Sequence, residues 1–175
     1  NVDNEWLAKI EKDISDLGLE IYQLRSSQLD SINSNIHLLK KDHEFQFNIQ
    51  LKMKDDFFNS DLTFEKYILN LKDSRGYDMH YGGTKIGPHK SDFMAVIDND
   101  FDASLLSTGQ QKTVVLMILL AQCYDLVNYK NINPILLFDE IGSHLDSQNR
   151  KILLDMINRF KIQFFLTGTD KNLFS

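Results

Sequence analysis

The stretch Ile135-Leu136-Leu137-Phe138-Asp139-Glu140 decides how this chain is read. Four consecutive apolar residues, entered from Pro134 and halted by two acids, suit a short strand buried on both faces, as in a parallel sheet. Its surroundings agree. Upstream, Ser107-Thr108-Gly109-Gln110 opens a helix that should run to about Asn128. A Ser followed three places later by Gln is a capping box, in which each side chain satisfies an orphan amide of the first turn. Residues 131–134 form a loop into the strand. Downstream, a second helix starts near Ser147 and turns Leu153, Met156, Ile157 and Phe160 inward. Phe164-Phe165-Leu166 then makes another short buried strand, closed by Thr167-Gly168-Thr169-Asp170. Helix, strand, helix, strand argues an α/β lobe of parallel strands covered by helices, with chemistry at the carboxyl ends of the strands.

Two adjacent carboxylates at the end of a buried strand are costly unless they hold a cation or handle a proton. In P-loop nucleotide hydrolases the first such acid positions Mg²⁺, and an adjacent acid can polarise the attacking water. The six residues by themselves also suit an ordinary strand ending in an acidic turn. A second feature lies in LSTGQQK, residues 106–112. A Ser cap, a glycine and free first-turn amides make a helix N-terminus a receptor for phosphate oxygens, aided by the helix dipole. Alone this is only a good capping sequence; about 30 residues ahead of ILLFDE, with an intact helix between, the pair is more specific.

Together these motifs resemble those of ABC-type ATPases. LSTGQQK resembles their signature, ILLFDE their Walker B strand, and GSHLD, residues 142–146, the D-loop that follows it. Within that superfamily the chain is similar to the RecF family of recombination-repair proteins, in GPHKSDF (87–93), in the glutamine-rich signature and in LTGTD (166–170). Specific motifs cover Tyr81 to Asp170, and the helix and strand before them match more loosely. The resemblance implies that Asp139 holds Mg²⁺ through water and that Glu140 is the catalytic base. It implies that Ser107, Thr108, Gly109 and Gln110 face the γ-phosphate of an ATP bound to the opposite subunit, with His144 and Asp146 at the same dimer interface. The switch position is a His in ABC transporters; here Thr167 or Thr169 would serve. For the complete protein the resemblance implies an ATP-dependent homodimer on DNA, at single/double-strand junctions or gapped duplex. Hydrolysis would open the dimer, and the protein would help to load RecA at gaps alongside RecO and RecR.

One departure is large. The phosphate-cradling loop G-x-x-x-x-G-K-[ST] does not occur in these residues. The nearest imitation, GGTKIGPHK at 82–90, places Pro88 and His89 where Lys and Ser or Thr belong, and a proline removes an amide from the cradle. Since the chain also starts at Asn1 rather than Met, the expectation is the C-terminal half of a RecF-like protein roughly twice this long. Residues 1–42 would be a segment of a helical arm and 43–175 the ATPase lobe with signature, Walker B and D-loop; hydrolysis of ATP by this chain alone is not expected. Two rival readings stay open. One is the C-terminal lobe of an SMC or Rad50-like head, which calls for a long coiled coil; the other is a lobe that caps a partner's nucleotide through Ser107–Gln110 without hydrolysing it.

Leu7, Ile10, Ile14, Leu17, Ile21 and Leu24 follow a 3-4 spacing, the seam of an amphipathic helix, which then meets Gln28 and Ser31 and fails. The spacing predicts one long helix packed on its neighbours. Phe45, Phe47, Ile49, Leu51 and Met53 alternate with polar residues, the pattern of a half-buried strand. Residues 61–73 read as a helix with Phe64, Ile68 and Leu71 on one face, closed by Arg75-Gly76. The loop 81–90 holds three of the eight glycines. Lys72, Arg75, Lys85 and Lys90, with His80 and His89, make this region locally basic, and glycines let backbone approach phosphate. Lys85, His89 and Lys90 are therefore candidate DNA contacts, the plain alternative being a solvated turn. Phe93–Ile97 reads as a strand, and Asp98-Asn99-Asp100 as a turn.

Composition bounds these readings. The chain has 175 residues, 42% of them apolar, enough for one globular domain or two small ones. With 19 Lys plus Arg against 25 Asp plus Glu, the net charge of -6 excludes a broadly basic nucleic-acid binder, so any DNA contact must be local. The single cysteine, Cys123, sits in an apolar run and reads as a buried thiol in a reducing compartment, with the cytoplasm as the expected location. The first twenty residues carry charges throughout, unlike a secretion signal, and no apolar run approaches the eighteen or so residues of a membrane span. The five histidines have no metal-ligand spacing. Neither a Ser-His-Asp hydrolase elbow nor a Rossmann fingerprint is present. Trp6 and the phenylalanines read as core.

Overall fold

The computed structural model describes residues 3–42, 47–98, 100–139 and 147–168. Its elements are, in order, α1 (Asn4–Asp42), β1 (Ile49–Lys54), α2 (Phe64–Tyr81), β2 (Asp92–Ile97), β3 (Phe101–Asp102), a 3-10 turn (Ala103–Leu105), α3 (Thr108–Asn128), β4 (Ile135–Phe138), α4 (Ser147–Phe160) and β5 (Gln163–Leu166). The chain is α/β, as its pattern implies. β4 and β5 pair in parallel with Ile135 opposite Gln163 and Phe138 opposite Leu166. A second sheet, not foreseen from sequence, has the order β1-β2-β3, and β2 meets β3 antiparallel across Val96–Asp102 and Ile97–Phe101.

α1 departs from the expected seam in two ways. Along its first part the residues turned inward are Glu11, Ser15, Gly18 and Tyr22, a stripe of the same 4-3-4 period displaced by one position. Leu17 and Leu24 stay 59% and 64% exposed. The helix also continues past Gln28 and Ser31, because burial there is achieved by hydrogen bonds instead of apolar contact. Ser31 donates its hydroxyl to Asp125 of α3. Asn33 grips β1 at both ends of one peptide position, donating from Nδ2 to the Leu51 carbonyl (2.9 Å) and accepting the Leu51 amide on Oδ1 (2.7 Å). Asn35 donates to the Ala121 carbonyl at 3.3 Å. Where the apolar seam fails, a row of short polar side chains takes over the packing.

α2 also outruns its expected end. Thr63 caps it, accepting the Lys66 amide at 3.3 Å, but Arg75-Gly76 does not close it. The Arg75 guanidinium forks onto Glu11 at 2.5 and 2.7 Å, which holds that turn helical. The helix closes at Gly82, where φ is 74° and the amide bonds back to the Asp78 carbonyl at 2.8 Å.

The chain divides into two compact units, the boundary crossing α1, β1 and β2. The first unit, residues 1–29 and 53–93, packs around Tyr22, Tyr67 and Leu71, ringed by Ile14, Leu19, Met53, Phe57, Phe58, Leu62 and Ile86. The second, residues 30–52 and 94–175, buries Ile36 and Leu39 of α1, Met117 and Leu120 of α3, and Ile152, Leu153, Met156 and Phe160 of α4. Cys123 is buried on α3, and burial pushes its thiol up to about 11. Ile157 is only half-buried. The two strands expected to be covered on both faces are not: Ile135, Leu137 and Phe165 are 59%, 73% and 50% exposed. Trp6, Phe93 and Phe101, read as core, are also exposed. Among the described residues no helix is long and apolar enough to cross a membrane.

Candidate nucleotide-binding site

Both features of the motif pair lie in the second unit. At the start of α3 the capping box forms as its sequence implies. Ser107, extended at φ -61° and ψ 155°, accepts the Gln110 amide on its hydroxyl (3.4 Å), while Gln110 Oε1 accepts the Ser107 amide at 3.1 Å. Gln111 Nε2 donates backward to the carbonyls of Ser104 (2.7 Å) and Leu106 (3.0 Å), fastening the 3-10 turn beneath the helix start. Ser107 and Thr108 are exposed, and Gly109 and Gln110 half-buried. Ser107 Oγ and Gln110 Oε1 are turned on one another's groups, so the amides of Thr108 and Gly109 and the Thr108 hydroxyl are the first-turn groups best placed to meet a ligand.

At the other end, parallel register does the positioning. Because Phe138 lies opposite Leu166, the residues that follow them, Asp139 and Thr167, emerge side by side at the carboxyl ends of the strands. The Thr167 amide extends the ladder to the Phe138 carbonyl at 2.9 Å, and its hydroxyl donates to Asp139 Oδ1. Asp139 is exposed. Among the described residues no group of three or more His, Cys, Asp or Glu gathers as a metal cage. An oriented carboxylate fits Mg²⁺ nonetheless, since that ion keeps several waters and takes one or two carboxylates plus substrate phosphates. Glu140, His144, Asp146 and Thr169 lie outside the described residues.

The candidate DNA contacts sit in the first unit and are only partly brought together. Lys85 and Lys90 line an open hollow of about 470 Å³ with Lys54, but Asp55, Asp56 and Asp92 line it too. Asp55 is already engaged, by the Tyr22 hydroxyl at 2.9 Å and by the amides of Phe57 and Phe58. His89 turns its Nε2 to the Thr84 carbonyl, 2.9 Å away. The sequence reading missed what holds this loop. Arg25 of α1 reaches the Pro88 carbonyl at 2.6 Å and the Ser91 hydroxyl at 2.7 Å. Tyr67 is wedged between two glycines: a Cβ at Gly18 would meet its Cε1 at 2.7 Å, and one at Gly87 its hydroxyl at 2.5 Å. The signal available was the pair of glycines on either side of an apolar helix, and nothing in the sequence linked them to one tyrosine.

Residues 11–175 match the family described as RecF/RecN/SMC N terminal domain. The chain belongs to that family. Within it the chain is RecF-like. It is 33% identical over 178 residues to the DNA replication and repair protein RecF of Rhizobium leguminosarum bv. trifolii, covering 99% of this chain and 48% of that protein. The RecF of Agrobacterium fabrum is 34% identical over 99% of this chain and 47% of its own, and that of Rickettsia prowazekii 31% over 96% and 48%. The chain thus spans about half the length of the curated relatives it matches. A solved structure described as the recombination mediator protein RecF-ATP in the RecFOR pathway superposes with a TM-score of 0.78 at 22% identity, over 97% of this chain and 46% of that one. A second, of RecF with the nucleotide written ATPrS, gives 0.77. These two establish the fold.

Proposed function

We propose that this chain is the C-terminal half of a RecF-like, ATP-dependent DNA-binding repair protein of the ABC ATPase class. The observation that carries the reading is the oriented Asp139 beside Thr167 at the strand ends, one helix and one strand after an exposed, capped LSTGQQK turn. The family description speaks of an N terminal domain, and the shares of the relatives covered do not name a half. Motif order supports the C-terminal one: signature, Walker B and D-loop are present in sequence and a phosphate-cradling loop is not. The arm segment at 1–42 and the lobe at 43–175 belong to the same proposal.

In this reading Asp139 holds Mg²⁺ through water and Glu140 takes the proton of the attacking water. The metal, when bound with ATP, would neutralise charge building on the phosphates. Thr167 keeps Asp139 in one orientation, and Thr167 or Thr169 stands at the switch position. Ser107, Thr108, Gly109 and Gln110 approach the nucleotide of the second subunit, and His144 and Asp146 meet at the same interface. The complete protein would form an ATP-dependent homodimer at gapped duplex or single/double-strand junctions in the cytoplasm, and act with RecO and RecR in loading RecA. Exposed Ile135, Leu137 and Phe165 support a chain that is completed by another half, since a two-stranded parallel sheet is stable only when covered.

The test is Glu140→Gln in the full-length protein, followed by light scattering with Mg²⁺-ATP. The reading expects an ATP-bound dimer that persists because hydrolysis has stopped. A variant that turns over ATP at the normal rate would remove Glu140 from its role. Dimer formation without any turnover in the unaltered protein would favour the lobe that caps a nucleotide and does not cleave it.

A further inference from the structure

The C-terminal turn and a half of α2 carries a feature that nucleotide chemistry does not use. Tyr77 and Tyr81, one helical turn apart, stack with ring centroids 4.2 Å apart and planes 29° from parallel. They stand 52% and 60% exposed, although rings of this size are ordinarily buried for most of their area. Lys85, arriving from the loop after the helix, places its ammonium 5.5 Å from the centre of the Tyr81 ring. Gly82 and Gly83 lie between, and a Cβ built on either would meet nothing within 4 Å among the described residues, so the connection from helix to Lys85 runs through open space. Arg25 pins the far end of the loop through Pro88 and Ser91, which keeps Lys85 near the ring.

We propose that Tyr77, Tyr81 and Lys85 form a stacking platform for the unpaired bases of a single strand next to duplex DNA. The inference rests on the DNA-binding reading above and deepens it by naming the part of the substrate this surface takes. Charge decides between a single strand and a duplex. The chain carries a net -6, and the hollow beside Lys85 sets three aspartates against three lysines, so a duplex with two rows of phosphates finds no broadly basic face here. A single strand needs only a few cations along one backbone together with aromatic faces on which bases lie flat. Lys85, with exposed His80 and Lys90 nearby in sequence, provides the former and the tyrosine pair the latter. Asp73, one turn before Tyr77, bounds the footprint on the helix side; Asp78 is half-buried and accepts the Ser74 hydroxyl on Oδ2 at 2.7 Å.

The experiment titrates the full-length protein, with Mg²⁺-ATP present, against a labelled duplex bearing a single-stranded thymidine tail. A second duplex carries an abasic tail of equal length. Stacking of one base corresponds to about 5-fold to 150-fold in affinity, so the thymidine tail should bind at least about fivefold tighter. Tyr77→Ala with Tyr81→Ala should abolish that preference and leave affinity for the abasic-tailed duplex unchanged. Tyr77→Phe with Tyr81→Phe should retain the preference, because the ring faces remain. Lys85→Ala should weaken both tails alike and lower the salt slope by about one. Equal binding of the two tails by the unaltered protein, or a preference that survives the double alanine change, overturns the platform alone. Binding to neither duplex overturns the DNA reading and the platform with it.

Discussion

Gly87→Ala is the substitution for which the structure makes the sharpest demand. Gly87 has a φ of 125°, a region L side chains rarely adopt, and strain of that kind costs about 1–3 kcal/mol. The new methyl would also lie 2.5 Å from the Tyr67 hydroxyl and 3.3 Å from His89 Nδ1. Tyr67 cannot swing clear. It is fully buried, Gly18 of α1 leaves only 2.7 Å beside its Cε1, and the Phe57 ring lies 4.9 Å from its own. Overpacking of a rigid site adds about 1–3 kcal/mol, so the total expected loss is about 2–6 kcal/mol. Tyr67→Phe separates the two contributions. Among the described residues the hydroxyl has no hydrogen-bond partner, and burial pushes its ionisation up to about 12, so removing it alone should leave stability unchanged or raise it. In the double variant the hydroxyl overlap vanishes while the backbone strain remains. Urea unfolding of the four full-length proteins should show Tyr67→Phe recovering about 1–3 kcal/mol of the Gly87→Ala loss. Strict additivity of the two changes would refute the wedge. A large destabilisation by Tyr67→Phe alone would show that the hydroxyl is bonded.

Two further outcomes are expected. Thr167→Val deletes the hydroxyl that orients Asp139 and leaves the strand intact, so ATP binding should need several-fold more Mg²⁺ while Thr167→Ser stays close to the unaltered protein; calorimetric titration at varied Mg²⁺ reads it. Asp125 is buried, and Lys130 (2.8 Å away) and the Ser31 hydroxyl hold its carboxyl below the usual carboxylate range. A depressed folded value means that the stabilisation is present above the unfolded value, about 3.9, and is lost as pH falls through the folded one. Asp125→Asn should therefore melt below the unaltered protein at pH 7, and the gap should close as pH falls below about 4.

The order of helices and strands from Ser107 to Leu166 was legible because each element there is short and apolar or announced by its cap. Ser107 with Gln110 specifies α3's start locally, and β4 and β5 differ from their neighbours in hydropathy alone. The same reading failed on burial. A continuous apolar run marks a strand that can be covered on both faces but not what covers it, and Ile135 and Leu137 are open here. α1 misled for a different reason. Its leucine and isoleucine seam is periodic, yet Glu11, Ser15, Gly18 and Tyr22 face inward because Arg75 demands a carboxylate and Tyr67 demands a glycine.

What the sequence by itself determined is therefore the local chemistry: the capped helix start, the acid at a strand end, the want of a phosphate-cradling loop, and a net charge of -6 that leaves no broadly basic surface. Tertiary structure alone decided which side chains meet. Asp139 and Thr167, 28 positions apart, become neighbours only through parallel register. Arg25 and Pro88, 63 apart, meet only because α1 passes the loop after α2. The reason is physical. Capping and patterning act over three or four residues, whereas register and close packing depend on shapes and hydrogen-bond partners that no local window contains.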